Sequence, residues 1–337
     1  MGFQSQSGQV GIRTQAVKGT YLDPGTSTFG IFMRTKSGSL EATRDLLIPD
    51  PEIGGGRDVS DAYLGPVAFS GGYDFYARAN SLALLLKGLL GPPVSTTVSD
   101  YKQHVFTPID TGSLPWMSIE EAIGDGFEVF RYTDAKVESL HFEVDANGFL
   151  QGTVAFNALT QTSGNTKTAA PTWDLTPMMV GSNCLIKWNG ANLPAKSLSF
   201  DMNNNSENDD YRLGSVFLGD ITEKRREIMV GATIRPSDAA LYKTAVYGSA
   251  AATTPQAGAV FKDDVQVVCT SYEVISGAAA MKYTIQVDIP QAVIKPFSVS
   301  PSGDDIIQHD LSIQALRPNP ATPAFTVTIK NELAAIP

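Results

Sequence analysis

Apolar and polar residues alternate on both sides of a turn signal in residues 137–160. Leu140 and Phe142 alternate with polar neighbours, and the alternation resumes at Val154. Side chains leave a β-strand on opposite faces with a period of two, so the pattern predicts two strands that each bury one face. Between them stands Asn147-Gly148, a pair that supplies the positive φ angles of a tight turn. The segment is predicted to be a β-hairpin.

The same pattern returns in residues 294–317. With a displacement of 157 positions, Val137 falls on Ile294 and Phe156 falls on Ile313. The elements before each hairpin also follow one order, namely strands, a polar loop, a strand, a helix and further strands. A repeated order of elements indicates an internal duplication.

Two helices are predicted, one in each half. Residues 80–90 are predicted to form a helix capped by Asn80 or Ser81, because a short side-chain oxygen accepts from free backbone N–H groups. Its apolar positions cover most of the circumference, which indicates burial on more than one side. Residues 236–247 are predicted to form the second helix, with Ser237 as its cap. The sequences Gly91-Pro92-Pro93 and Gly248 are predicted to end the two helices.

These elements predict a mainly β (α+β) fold of two tandem β-sandwich domains, each with one flanking helix. The first domain is assigned to residues 1–165 and the second to residues 181–337. Residues 166–180 are assigned to the linker, because residues 161–176 are rich in Thr, Ala, Ser and Pro and have no usable periodicity.

Charge and composition exclude several classes of function. The formal net charge of −10 and the pI near 4.8 argue against a protein that wraps DNA, since phosphates are neutralised by clustered Lys and Arg. No apolar run approaches the roughly 20 residues of a membrane span, and the first ten residues lack the features of a signal peptide. Without a secretion signal, Cys184 and Cys269 are expected to be reduced, buried thiols.

The residues that could act in catalysis or metal binding are not arranged in the sequence as a recognisable site. His104, His141 and His309 lack spaced partner ligands, so no metal site is predicted. Paired carboxylates such as Glu120-Glu121 are assigned to solvated loops and turns rather than to acid–base catalysis. The acidic run 201–210 lacks the Gly and terminal Glu of a calcium loop. No enzymatic activity and no cofactor are predicted.

In this order, the elements resemble the tail tube (major tail) proteins of long-tailed, non-contractile bacteriophages. The resemblance rests on the opening strands with their Gly19-Thr20 turn and on the Ser39-Leu40-Glu41 strand, which leads to a charged loop ending at Arg57. It continues through the capped helix to the closing hairpin and a last strand at residues 324–332. It spans nearly the whole chain, and the order of the elements gives it its specificity.

The resemblance implies a structural virion protein, made in the bacterial host cytoplasm, whose sheets join edge to edge around a ring. Stacked rings form a hollow tail tube that conducts phage DNA into the host. A chain with two copies of the domain implies trimers that mimic a hexamer, with rings of six chains as the alternative. The implied partners are further copies of the chain and the tail terminator, tail tip and tape-measure proteins. The negative charge suits passage of double-stranded DNA without sticking.

Two sets of residues are candidates for assembly. The loops 49–62 and 203–212 are long, polar and equivalent in the two halves, and they are expected to reach the next ring. The outward faces of the hairpins are candidates for the lumen wall. The loop candidates are Pro49, Asp50, Glu52, Arg57, Asp58, Asn204, Glu207, Asp209, Asp210 and Arg212, and the lumen candidates are Glu138, Glu143, Asp145, Asp304 and Asp310.

The alternative function is a β-sandwich receptor-binding or adhesin-like module of a phage or pilus. Such a module needs a groove of clustered aromatic residues, whereas Trp116, Trp173 and Trp188 are dispersed. A β-sandwich hydrolase is a third class, but no catalytic constellation supports it.

Overall fold

The structure of the chain is a computed structural model, in which the described residues are 4–26, 30–54, 57–59, 61–110, 112–125, 127–258, 260–299 and 306–337. Antiparallel strands dominate it, which confirms the predicted mainly β class. Those of the first half are β1 (Gln9–Thr14), β2 (Gly30–Met33), β3 (Thr35–Leu47), β4 (Tyr63–Tyr76), β5 (Val94–Val98), β6 (Tyr101–Phe106), β7 (Met117–Ile123), β8 (Glu128–Asp145) and β9 (Gln151–Thr162).

The second half continues the same sheet. Its strands are β10 (Cys184–Trp188), β11 (Ala191–Asn192), β12 (Ala195–Asn203), β13 (Glu227–Ile234), β14 (Asp263–Val274), β15 (Lys282–Ile294), β16 (His309–Ala315) and β17 (Thr326–Asn331).

Strand pairing follows one order in both halves. In the first half the series is β3-β4-β9-β8-β7-β1, and in the second it is β12-β13-β16-β15-β14-β10. The two series meet where β12 pairs with the second part of β8, from Ser197↔Asp145 to Asn203↔Ser139. A second link runs from β15 through β17 to β6. The division into two domains at residues 165 and 181 stays a prediction.

One continuous antiparallel sheet runs through the junction, in the order β15-β16-β13-β12-β8-β9-β4-β3. Its inner face carries the alternating apolar residues, including Leu140, Phe142 and Phe200, which are all buried. The main hydrophobic core lies behind this face and includes residues of both halves, from Val10 to Ile336. Burial of this one apolar face stabilises the sheet.

The first hairpin is confirmed, and the second is only partly formed. β8 and β9 pair from Arg131↔Thr162 to Glu143↔Gln151. The connecting turn is closed by the Gly148 N–H, which donates to the Asp145 carbonyl (2.9 Å), and it does not use a positive φ at Asn147 or Gly148. In the second half β15 pairs with β16 only from Ala292 to Ile294, and residues 295–299 are not in a strand.

Helix α1 (Ala79–Leu90) is confirmed, but its predicted cap is wrong. The helix is surrounded by protein, because Leu82, Leu84 and most of its other residues are fully buried. Its first turn is capped by Asp174, whose Oδ2 accepts from the backbone N–H and from the hydroxyl of Ser81, both at 2.6 Å. The cap comes from the predicted linker because that segment lies along β2, where the Asp174 N–H donates to the Phe32 carbonyl (3.0 Å).

Helix α2 (Ala240–Tyr247) is shorter than predicted. Ser237 does not cap it, and the Asp238 carboxylate instead accepts from the Ala240 N–H (2.8 Å). Gly248 ends the helix in the left-handed conformation, at φ 86°, as expected.

The expectation of free thiols is wrong. β10 and β14 pair with Cys184 opposite Cys269, which brings their Cα atoms to 4.1 Å, and the structure joins the two residues in a disulfide. No described helix is long and apolar enough to cross a membrane.

Candidate functional site

The outer face of the continuous sheet is polar. Side chains that alternate with the buried apolar residues form rows across the strands, because antiparallel partners share a face. One row reads Asp145, Ser197, Thr233 and Asp310 along β8, β12, β13 and β16. The second row consists of Glu143, Ser199, Gly231 and Ser312 along the same four strands. The third row crosses the sheet from β3 to β16 and consists of Ser37, Asp74, Thr153, His141, Asp201, Met229 and Gln314.

The three lumen candidates Glu143, Asp145 and Asp310 lie on this face and are exposed. They line a cavity of about 390 Å³ across the β8–β12–β13–β16 part of the sheet. The cavity is shallow and acidic, and Gly231 adds no side chain to its floor. The Thr233 hydroxyl donates to Asp310 (2.8 Å), which fixes that carboxylate in place. The face therefore presents negative charge to whatever lies in front of it.

A histidine lies where the two halves join. His141 Nδ1 is 2.5 Å from Asp201 Oδ1 across the β8–β12 pair, and its Nε2 is 3.7 Å from Glu143 Oε2. The hydrogen bond to Asp201 raises the pKa of His141 above its ordinary value. Protonation would place one cation among the carboxylates of the face, directly over the junction.

Glu138 is placed differently from the other lumen candidates. Its carboxylate is half-buried and accepts from the Ser206 N–H (3.0 and 3.2 Å) and from the Asn157 amide (3.1 Å). This charge holds the start of the 203–212 loop. Asp304 lies outside the described residues.

The first candidate loop is the tip of an exposed arm. β3 and β4 form a long hairpin, and from Glu41 to the end of β3 every residue is exposed. All five candidates on the 49–62 loop are exposed, namely Pro49, Asp50, Glu52, Arg57 and Asp58. The arm also exposes a group of large apolar side chains at Leu46, Leu47, Ile48, Ile53, Val59, Tyr63 and Leu64. Exposed apolar side chains grouped in this way on one element mark a contact with another molecule.

The second candidate loop folds onto the first half. Asn204 is 1% exposed and donates to the carbonyls of Leu89 (3.1 Å) and Val137 (3.4 Å). Further along, Phe217 stacks on Phe69, and the buried Lys136 pairs with Glu223 at 2.7 Å. Glu207 pairs with Lys224 and Asp210 pairs with Arg212, each at 2.5 Å, while Asp209 is exposed. The two loops are therefore not equivalent, since one is free and the other is anchored.

The assignment of Glu120 and Glu121 to solvated turns is wrong. Both lie within β7 and are buried, with Glu120 at 0% and Glu121 at 4% exposure. Glu120 is held by Gln9, Arg131 and Thr168. Burial raises the pKa of Glu121 from 4.5 to about 7, although the Leu40 N–H and the Tyr132 hydroxyl hydrogen-bond to its carboxylate and oppose the shift.

No group of His, Cys, Asp or Glu in the described part of the chain is arranged to hold a metal ion. Of the histidines, His104 is fully buried and bonded to Asn331 (2.9 Å), while His309 packs on the Phe297 ring at 5.0 Å. The sequence signals that would have located Asp174, Glu121 and the disulfide are absent, because each depends on which strands become neighbours.

A family model described as phage tail tube protein matches residues 5–315, which is nearly the whole chain. A comparison with curated proteins gave no match.

Proposed function

Because the chain belongs to the phage tail tube protein family, we propose that its copies form rings that stack head to tail into the hollow tube of a long, non-contractile tail. The tube conducts phage DNA into the host. The observation that carries the proposal is the eight-stranded sheet, which has one polar, acidic face and one apolar face and ends on one side in β3, a strand that pairs with β4 alone among the described residues.

Ring closure follows from the free edge of β3, which pairs with β4 alone among the described residues. A sheet with open edges invites pairing with another chain, and closing it around a ring removes the edges altogether. Each chain supplies the strand series twice, so three chains supply six similar wall segments. We therefore propose trimeric rings that mimic a hexamer, and rings of six chains are the alternative.

Stacking of the rings is assigned to the arm. Its apolar side chains are exposed in the single chain and would be buried against the next ring, where each Leu contributes roughly 1.5–3 kcal/mol. Exposed charges on the 49–62 loop would orient the contact. From the anchored loop, only the outward Glu207, Asp209, Asp210 and Arg212 are assigned to it. Asn204 is excluded because its side chain is buried.

The polar face is assigned to the lumen. Exposed Glu143, Asp145 and Asp310 would repel the phosphate backbone, so that DNA slides without binding. The ends of the tube would contact the tail terminator, the tail tip and the tape-measure protein, and the mature location is the virion.

Microscopy and mass measurement test the proposal together. We expect purified protein to form tubes or rings in negative stain, and native mass spectrometry of released rings to give three chains per ring. Six chains per ring would overturn the trimer. Discrete monomers under all assembly conditions would overturn the tube itself and favour a receptor-binding module.

A further inference from the structure

The two halves repeat their strand pairing residue by residue. The β8–β9 pair Val137↔Phe156 corresponds to the β15–β16 pair Ile294↔Ile313, with a displacement of 157 on both strands (137 to 294 and 156 to 313). The outer hairpins agree as well. β3 shifts its register against β4 between Thr35 and Ser37, and β12 shifts against β13 between Ala195 and Ser197, a displacement of 160 at both positions (35 to 195 and 37 to 197).

Among the described residues, the chain makes one junction in which the outer strand of one repeat pairs with the long hairpin strand of the other. There, the outer edge of β12 pairs with residues 139–145 of β8. Among the described residues, β3 pairs with β4 alone, although it corresponds to β12. Residues 296–299 correspond to residues 139–142 at the start of the paired part of β8, yet they are not in a strand. The chain thus holds one complete junction and two open halves of the same junction.

We propose that β3 of one copy pairs antiparallel with residues 296–299 of a second copy, in the register of the β12–β8 junction. Applying the two displacements places Leu40 opposite Val299, Ala42 opposite Phe297, Glu41 opposite Ser298 and Thr43 opposite Pro296. The inference rests on the ring assembly proposed above and specifies how neighbouring copies in a ring join.

The residue pattern fits this register. Leu40, Ala42, Phe297 and Val299 are apolar, and they take the places of Phe200, Met202, Leu140 and Phe142, which are buried at the complete junction. Ala42 is exposed in the single chain, and Phe297 and Val299 are half-buried, so pairing would remove apolar surface from water. Glu41 and Ser298 take the places of Asp201 and His141 on the polar face. Pro296 takes the place of Ser139, beside the β-bulge of β8, where proline is tolerated.

A second observation indicates that the edge of β3 pairs with a strand of another copy. The Leu40 N–H lies 3.4 Å from Glu121 Oε2, and the Leu40 carbonyl accepts from the Tyr132 hydroxyl at 2.7 Å. Strand register places Val267 and Ile289 at the corresponding positions of the second half, where β12 already has a neighbour. The polar side chains therefore occur only at the unpaired edge. In the single chain these two side chains hydrogen-bond to the Leu40 backbone at the edge, and inward-pointing charges protect other sheet edges in a similar way. In the ring, the Val299 backbone replaces them as the hydrogen-bond partner of Leu40.

Disulfide trapping tests the register. The double variant Glu41→Cys with Ser298→Cys places the two thiols on directly opposed residues. The matched control is Ser37→Cys with Ser298→Cys, in which the first thiol is moved by four residues, about 13 Å along β3 on the same face. Assembled protein is oxidised and run on a denaturing gel without reductant. The native disulfide lies within one chain and does not join copies.

We expect the opposed pair to give covalent dimers and trimers, and the control to stay monomeric. Tubes of the opposed variant without cross-links, or equal cross-linking in the control, would overturn the register and leave the tube itself intact. Hydrogen exchange of the unaltered protein is the second measurement. Residues 41–43 and 297–299 should gain about tenfold or greater protection on assembly, and unchanged exchange in tubes would also overturn the register. Failure of the unaltered protein to form any ring would overturn the proposed function as well.

Discussion

At the scale of single residues, Asp174 connects the segment between the halves to helix α1. Its two oxygens accept from Ser81 and from the N–H and hydroxyl of Thr176, and the residue is only 4% exposed. Removing a buried acceptor leaves these donors without a partner, which costs more than the lost hydrogen bonds themselves.

Asp174→Ala should therefore lower the free energy of unfolding by about 2–4 kcal/mol. Urea denaturation of the unassembled chain measures the change. Asp174→Asn keeps an acceptor oxygen and should lose less, while the exposed Asp209→Ala should stay within roughly 0.5 kcal/mol of the native protein. Equal losses for Ala and Asn would show that charge rather than capping is responsible.

Glu121, which lies beside the edge of β3, makes the stability of the folded chain depend on pH. Its pKa is raised from 4.5 to about 7 in the folded chain, so the folded state holds the proton more tightly than the unfolded state. The stability from the neutral carboxyl is fully present below about pH 4.5 and is lost as the pH rises through about 7.

Glu121→Gln should remove this dependence, because an amide does not titrate. Relative to the native protein, the variant should gain stability between pH 5 and pH 8, by at most about 3 kcal/mol. Thermal unfolding of the unassembled chain across this range measures the gain, with the exposed Glu143→Gln as the matched control. A constant difference between variant and native protein at every pH would contradict the assignment.

These residues show where sequence reasoning stops. Alternation around Leu140 and Phe142 predicts which side chains are buried, because period two is a local property of a strand. The role of Asp174 depends on contacts across 93 positions and that of Glu121 on contacts across 81 positions. Neither separation leaves a local pattern. The disulfide was missed for the same reason, since only strand register places Cys184 opposite Cys269.

At the scale of elements, the helices and the first hairpin could be predicted from the sequence. Whether each of the two loops packs against the rest of the chain could not. Both loops are long and polar in sequence, yet residues 203–212 are anchored through Asn204 and the arm is not. The difference arises because β12 already has β8 as a neighbour, so its following loop meets the first half of its own chain.

The free arm should carry the contact between rings. Leu47→Asp changes an exposed residue, so the unassembled chain should keep its stability within roughly 0.5 kcal/mol. Tube formation should fall sharply, because each contact would bury a charge in an apolar surface. Sedimentation and tube lengths in negative stain measure the loss. Leu175→Asp alters a leucine away from the arm that is even more exposed, and it should leave tubes intact. Normal tubes from Leu47→Asp would exclude the arm from stacking.

At the scale of the whole molecule, one sheet serves both halves. Its apolar face packs against the main hydrophobic core, so its polar face is the side that can contact another molecule. The rows of Ser, Thr and Gly with scattered carboxylates make that face smooth and negative. Sequence reasoning predicted the acids at Glu143, Asp145 and Asp310, because they alternate with buried residues, but it could not predict that β12 joins them into one surface.

The double variant Glu143→Lys with Asp310→Lys should retain tubes of normal ring mass and slow the passage of DNA. Both side chains are exposed on the polar face, so folding tolerates the change, whereas repeated cations along the lumen would bind phosphates as the DNA moves. We expect DNA release from virions built with this variant to slow on the order of tenfold and to recover at higher salt, because bound phosphates exchange with salt ions. Asp264→Lys with Glu273→Lys makes the same charge change on two exposed residues of β14, outside the face and outside the contact between rings, and should release DNA normally. If release is unchanged in virions whose tubes carry the first pair of lysines, the polar face does not line the path of the DNA.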